Sequence, residues 1–235
     1  MKSWRIIDLT MKISDDMPIY PEDPVPELSA SGEPYSDGFR VSSLKLGTHT
    51  GTHADAPVHR FADGSDIASV KLSKFAGPAV VIDCTGIGPK VLIETSDLFA
   101  HKALISMYRK ILFRTDWPER CGIQEDARTK TFQEGENKSP ASGHLSFFKD
   151  QPGLSREAAV WLASLNVELI GLDLPSVSVS DSAAVHAVLL KHGIVIIENL
   201  IGLHKLSRSV VEFHAAPLLL EDADGSPVRA YAIER

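Results

Sequence analysis

Eleven consecutive residues carry the densest chemistry in the chain: His49-Thr50-Gly51-Thr52-His53-Ala54-Asp55-Ala56-Pro57-Val58-His59. Three of the nine histidines and one carboxylate fall here, at offsets 0, 4, 6 and 10. All four offsets are even, so a strand would place the four side chains on one face. A straight strand nevertheless keeps the first two histidines roughly 13 Å apart, since each residue advances it by about 3.3 Å. Donors to one metal ion must each lie about 2 Å from it. A helix would bring His49 and His53 together, but two threonines, Gly51 and Pro57 oppose one. The remaining reading is a curled loop leaving a strand, with Gly51 allowing the tight backbone on which His49, His53 and Asp55 converge. Imidazole and carboxylate donors without a thiolate suit a divalent cation, zinc first and manganese second. The spacing is unlike that of a structural zinc finger, so the site is expected to be catalytic. A merely solvated loop accounts for one histidine, not for three with a carboxylate between Gly and Pro.

The elements around this stretch must deliver it and complete it. Residues 4–13 alternate as a strand, and Phe39–Leu46 reads as the strand that leads into the loop. Between them, Asp16–Pro26 holds four prolines, which remove donors and fix φ, so an extended, stiff loop is expected. After the turn at Phe61–Ser65, Ala79–Asp83 is a buried strand rich in β-branched residues. Thr95 or Ser96 caps a short helix over Asp97–His101, and Lys110–Thr115 is the next strand. Residues 117–146 lack periodicity and read as a lid or an insertion; its Trp117, Phe132 and His144 read first as structural residues, with a place at a pocket mouth as the other reading. From Leu154 the elements alternate: helix Arg156–Leu165 capped by Ser155, strand Glu168–Leu172, helix Ala183–His192 capped by Asp181 or Ser182, strand Ile194–Ile197. That rhythm implies parallel pairing and βαβ units. Val210–Leu220 and Pro227–Ile233 read as two further strands, antiparallel about an Asp222–Ser226 turn. The fold class is α/β, a mixed sheet in a single domain spanning 1–235.

Composition bounds the function. The chain is 43% hydrophobic and 23% charged, ordinary for a globular protein of 235 residues with a sizeable core. A net charge of −7 argues against nucleic acid and anionic membrane as partners. Met1-Lys2-Ser3-Trp4-Arg5 lacks a signal peptide's apolar core, and Cys84 and Cys121 show no redox or zinc spacing. A cytoplasmic chain with two reduced thiols is expected.

Two residues far along the chain stand out beside the first group. His186 lies mid-helix, where by itself it is an ordinary buried or surface histidine. Glu198 closes an apolar strand, where a carboxylate is costly unless it meets a cation or donors. Strand ends are also where open sheets place their chemistry.

The pattern His-x-Gly-Thr-His-x-Asp-x-Pro-x-His, with His186 twelve residues before Glu198 in Glu-Asn-Leu, resembles the metal-dependent "putative cyclase" family. Its best-known members are bacterial kynurenine formamidases (arylformamidases) of tryptophan catabolism, and the resemblance runs nearly end to end. It implies a swivelling β/β/α-like fold and a binuclear centre. His49, His53 and Asp55 would hold the first metal; His186 and Glu198 would hold the second, with Asp55 and Glu198 bridging. His59 would be the proton-transfer residue. Zinc is expected, two ions per chain, with manganese as the alternative. A Pro-x-aromatic-Pro turn borders the family's substrate pocket; kynurenine formamidases usually carry Trp there, whereas this chain has Tyr20. The implied reaction is hydrolysis of an N-formyl aryl amide, N-formylkynurenine first, by metal-activated hydroxide. Imidazole, with its near-neutral pKa, suits the proton relay. Cyclic amides such as isatin, lactones and polyketide-like substrates are the alternatives, and a metal- or small-molecule-binding protein without turnover is the reading from another class. Homo-oligomers, commonly dimers, are the family's usual state.

Overall fold

The computed structural model describes residues 4–14, 17–30, 38–123 and 146–235. In chain order, β1 (Arg5–Asp8), β2 (Glu27–Ala30), β3 (Ser42–Lys45), β4 (His53–Asp55), β5 (Ala76–Asp83) and β6 (Leu92–Ile93) come first. Helices α1 (Thr95–Leu98) and α2 (Lys102–Tyr108) lead into β7 (Lys110–Arg114), and α3 (Trp117–Arg120) follows it. Next come β8 (Gly153–Leu154), α4 (Arg156–Ser164), β9 (Leu169–Leu172), α5 (Ser182–Lys191) and β10 (Val195–Glu198). The order is completed by β11 (Val210–His214), β12 (Gly225–Pro227) and β13 (Tyr231–Glu234).

Nine of these strands form one sheet, ordered β1-β13-β11-β5-β7-β9-β10-β4-β12. Its middle, β5-β7-β9-β10, is parallel, and the flanking pairings are antiparallel. The mixed α/β architecture expected from the sequence is present, and α5 joins β9 to its parallel neighbour β10. The βαβ rhythm begins earlier than expected, since α1 and α2 lie between the parallel pair β5 and β7.

Both faces of the sheet are apolar, which is why its central strands read as continuous hydrophobic runs. Ile111, Phe113, Ile170, Leu172 and Ile196 face one side, where α4 and α5 cover them with Ala158, Leu162, Val185 and Leu189. Leu112, Leu169, Val195 and Ile197, the alternate positions, face the other side. Among the described residues no α-helix covers that second face. It packs against residues from opposite ends of the strand order, Ile7 of β1 and Ala54 of β4, because the sheet curls back on itself. The curl brings Thr10, just past β1, into an antiparallel bridge with Leu200, just past β10.

Several expectations change in detail. The helix near residue 97 is capped by Glu94 in a reciprocal capping box with Asp97, not by Thr95 or Ser96, and continues through α2 to Tyr108. Ser155 caps α4 as expected, accepting from the Ala158 amide at 3.1 Å. The Val210–Leu220 strand stops at His214, and Pro227–Ile233 divides: β12 pairs with β4, while β13 pairs with β11 and β1. Curling explains the division, since the two ends of the sheet are close enough for three residues, Val228, Arg229 and Ala230, to cross between them. Trp117 is fully buried and its Nε1 donates to the Phe147 carbonyl at 2.9 Å, so of its two readings the structural one holds. Phe132 and His144 lie outside the described residues. β2, which the sequence reading does not anticipate, pairs with β3 as a separate two-stranded arm.

Candidate metal centre

The stretch expected to be one curled loop is a turn followed by a strand. Gly51, at φ +63°, makes the turn after His49, and His53–Asp55 is then held as β4 between β10 and β12. This placement sets Glu198 directly opposite His53 across the β10–β4 ladder and Asp55 opposite Ile196. Glu198, ending an otherwise apolar strand, is thereby carried to the group at the other end of the sequence. His186 reaches the same place from the inward face of α5, where it is buried along with Val185, Leu189 and Leu190.

Five side chains therefore meet. His49 Nδ1 and His53 Nε2 lie 3.0 and 3.3 Å from Asp55 Oδ1, while His186 Nε2 lies 3.4 Å from Asp55 Oδ2. Glu198 straddles the group in the same way, with Oε2 3.4 Å from His53 Nε2 and Oε1 3.3 Å from His186 Nε2. Each buried imidazole is turned by its other nitrogen. His53 Nδ1 donates to the Gly51 carbonyl at 2.8 Å, and His186 Nδ1 to the Ser182 carbonyl at 2.8 Å. Fixing one ring nitrogen this way aims the other.

Asp55 is 1% exposed, yet among the described residues neither of its oxygens has a hydrogen-bond partner. The imidazole nitrogens crowd those oxygens without the alignment a hydrogen bond requires. A buried, unsatisfied carboxylate costs several kcal/mol or more in isolation. The arrangement is the one expected of donors grouped around a cation, and the donor set fits a divalent metal. Asp55, His53 and Glu198 have ligand atoms within 4.8 Å of one another, and so do Asp55, His49 and His59.

Without a cation, protons must balance these buried carboxylates. Burial opposes charge on His49, His53 and His186, but Asp224 and Asp55, or Asp55 and Glu198, outweigh it and hold the imidazoles up at about 9, 10 and 11. Burial works against ionised Asp55 as well, yet the three imidazoles hold it well below the usual carboxylate range. Metal binding must therefore displace protons. These folded values lie above the ordinary histidine pKa of about 6.5, so the metal-free fold binds more protons than the unfolded chain. Its stability should fall as pH rises from 6.5 through about 9. A cation removes that dependence. The gap in Tm between metal-loaded and chelated protein is thus expected to widen over this range, measured by calorimetry at stepped pH. A constant gap would show that these imidazoles do not carry the protons.

A cavity of about 240 Å³ opens on the group, lined by His49, His53, His59, His186 and Glu198. Tyr20 borders it, half exposed, and its ring meets the ring of Phe148 edge-on at 5.4 Å. Tyr20 and Phe148 thus place two rings along the cavity. Phe148 escapes sequence reading because it follows a polar stretch and looks like any other core aromatic.

Asp224 is the other residue the sequence does not reveal. Its Oδ2 accepts from His49 Nε2 at 2.9 Å and from His59 Nδ1 at 3.1 Å, and its Oδ1 accepts from Thr48 Oγ1 at 2.8 Å. Those bonds hold its carboxyl well below the ordinary range. An Asp shortly before Gly-Ser-Pro is normal turn chemistry, so nothing in the sequence marks it.

Fold and donors together define an α/β domain in which three imidazoles and two carboxylates, a set that could hold a divalent cation, converge on one place. A family model described as "Putative cyclase" matches residues 7–179. The chain belongs to this family. It is 31% identical to a kynurenine formamidase of Bacillus mycoides (strain KBAB4) and 33% identical to one of Bacillus thuringiensis (strain Al Hakam), in each case over 98% of both chains. The fold is also similar to that of an isatin hydrolase bound to thioisatinate, with a TM-score of 0.77, 25% identity and coverage of 98% of this chain and 92% of that one. No helix among the described residues is long and apolar enough to cross a membrane.

Proposed function

We propose that this chain is a metal-dependent amidohydrolase acting on N-formyl aryl amides, N-formyl-L-kynurenine first, to give the free arylamine and formate. The observation that carries the proposal is Asp55, a buried carboxylate with no hydrogen bond among the described residues, ringed by three imidazoles and accompanied by Glu198. His49, His53 and Asp55 would hold one zinc ion, and His186 and Glu198 a second, with both carboxylates spanning the pair; manganese suits the same donors. The way each carboxylate divides its two oxygens between different imidazoles supports two positions rather than one. When bound, such ions supply Lewis-acid polarisation of a carbonyl and a water acidic enough to react near neutral pH.

The remaining work falls to the protein. His59 Nδ1 is committed to Asp224, which leaves Nε2 to exchange protons at the cavity His59 lines. There it takes a proton from the attacking water and passes it to the leaving nitrogen as the C–N bond breaks and the new C–O bond forms. Tyr20 and Phe148 offer ring surfaces to the aryl group, and the proline-rich loop before β2 keeps Tyr20 in place. The test is formate release from N-formylkynurenine by metal-loaded and by chelated protein, beside a panel containing isatin, lactones and polyketide-like compounds. Metal-dependent formate release supports the proposal. A second reading, hydrolysis of a cyclic amide, is favoured by the likeness to the isatin hydrolase, and preference for isatin over every formamide would establish it instead. Metal uptake with no turnover of any panel member would leave only a binding protein.

Self-association belongs to the same proposal. On the β2–β3 arm Leu28 and Leu44 are direct cross-strand partners and both are more than half exposed. Contiguous exposed apolar side chains of this kind mark contact surfaces. Light scattering is expected to give a mass at least twice 25.6 kDa, and Leu28→Ser with Leu44→Ser is expected to lower it. An unchanged mass would place the interface elsewhere.

A further inference from the structure

We infer that Asp224 is the positioning residue for both imidazoles on its side of the cavity, selecting which nitrogen of His49 and which nitrogen of His59 carries the hydrogen. The inference rests on the metal-dependent hydrolase reading and adds a residue to it. A neutral imidazole has one N–H and one lone pair, whereas an ionised carboxylate only accepts. Because His49 Nε2 and His59 Nδ1 both approach Asp224 Oδ2, at 2.9 and 3.1 Å, each of those nitrogens must carry its hydrogen. With a cation among the grouped donors, His49 would turn the Nδ1 lone pair toward it, in place of the hydrogen that Nδ1 otherwise directs at Asp55 Oδ1, 3.0 Å away. His59 is left with the Nε2 lone pair. One oxygen thus imposes opposite tautomers on two neighbouring rings, whose centroids are 4.2 Å apart.

The position of Asp224 is itself fixed by several independent contacts. Thr48 Oγ1 holds the second carboxylate oxygen at 2.8 Å. The Asp224 carbonyl accepts from the Ala56 amide, and the Ala223 carbonyl accepts from the Ile67 amide, both at 2.9 Å. These tethers bind the turn to the segment that carries Asp55 and His59. The adjacent Gly225 closes the fit: a Cβ there would stand 2.8 Å from the Ala54 carbonyl oxygen and 3.0 Å from His49 Cε1. The His49 ring therefore lies against a bare backbone, with Asp224 at its Nε2. A carboxylate behind a ligating imidazole orients the ring and strengthens it as a donor. Here the same carboxylate also orients the proton carrier.

The test uses the full chain loaded with zinc, read by long-range 15N-histidine correlation spectra, by zinc competition with a chromophoric chelator, and by formamide hydrolysis. In Asp224→Ala, His59 is expected to leave the Nδ1–H tautomer, zinc affinity to fall about 10- to 100-fold, and kcat to fall more than KM changes. Asp224→Asn keeps an acceptor oxygen and is expected to restore the His59 tautomer and part of the affinity. Thr48→Val, which removes only the hydroxyl that steadies Asp224, is expected to move all three in the same direction by less, and decides the matter if Asp224→Ala fails to fold. A His59 tautomer and zinc affinity in the variants equal to wild type would overturn the inference, as would a lost affinity with the tautomer unchanged. Failure of the wild-type chain to bind zinc or hydrolyse any substrate would instead overturn the hydrolase reading, because the His59 tautomer can be read without either.

Discussion

Asp55→Asn is expected to abolish specific metal binding and, with it, hydrolysis. The amide matches the carboxylate in size but replaces one acceptor oxygen with a donor and removes the charge, in a place where both oxygens are buried and neither is hydrogen-bonded by a described residue. Residues standing behind ligands typically alter metal affinity 10- to 100-fold. A carboxylate facing three imidazoles should exceed that, with a loss of at least about 100-fold expected in chelator competition. Stability gives a second readout. At free metal about 100 times Kd, binding stabilises a fold by about 2.7 kcal/mol, and the variant is expected to show no metal-dependent rise in Tm. Wild-type metal content in Asp55→Asn would remove this residue from the centre and the hydrolase proposal with it.

His59→Ala separates chemistry from metal binding. Its side chain is one-third exposed, so the fold should tolerate the change within about 0.5 kcal/mol. Loss of a positioned proton carrier typically costs 10²- to 10⁴-fold in rate, about 3 to 5 kcal/mol of barrier. Metal affinity is expected to stay within tenfold of wild type, with formate release reduced by that larger factor. The rival outcome is specific. A ring nitrogen of His59 lies within 4.8 Å of a His49 ring nitrogen and an Asp55 carboxylate oxygen, so a lower metal-to-protein ratio in the variant would make it a ligand rather than a proton carrier. Undiminished turnover would remove it from the mechanism altogether.

Both experiments address residues that the sequence singles out, and the reason is local. His49, His53, Asp55 and His59 lie within eleven residues, and Gly51 and Pro57 limit the backbone so strongly that few conformations remain. The buried parallel strands were legible for a similar reason. A sheet covered on both faces needs an unbroken apolar run, and residues 194–197 and Leu169–Leu172 supply one each. Glu198 stood out because it interrupts such a run.

What the tertiary structure alone decided depends on contacts between distant residues. The strand at His53–Asp55 exists because β10 and β12 pair with it, and no local propensity favours it over a loop. The division of the C-terminal segment into β12 and β13 depends on the curl of the sheet, which brings both ends of the strand order together. Phe148 reaches Tyr20, and Asp224 reaches His49 and His59, across separations of 128, 175 and 165 residues (148 − 20, 224 − 49, 224 − 59). Aromatic and turn-forming residues carry no mark of such distant partners. Side-chain chemistry and short spacing were thus fixed in the primary structure, while the carboxylate that orients two imidazoles came only with the folded chain.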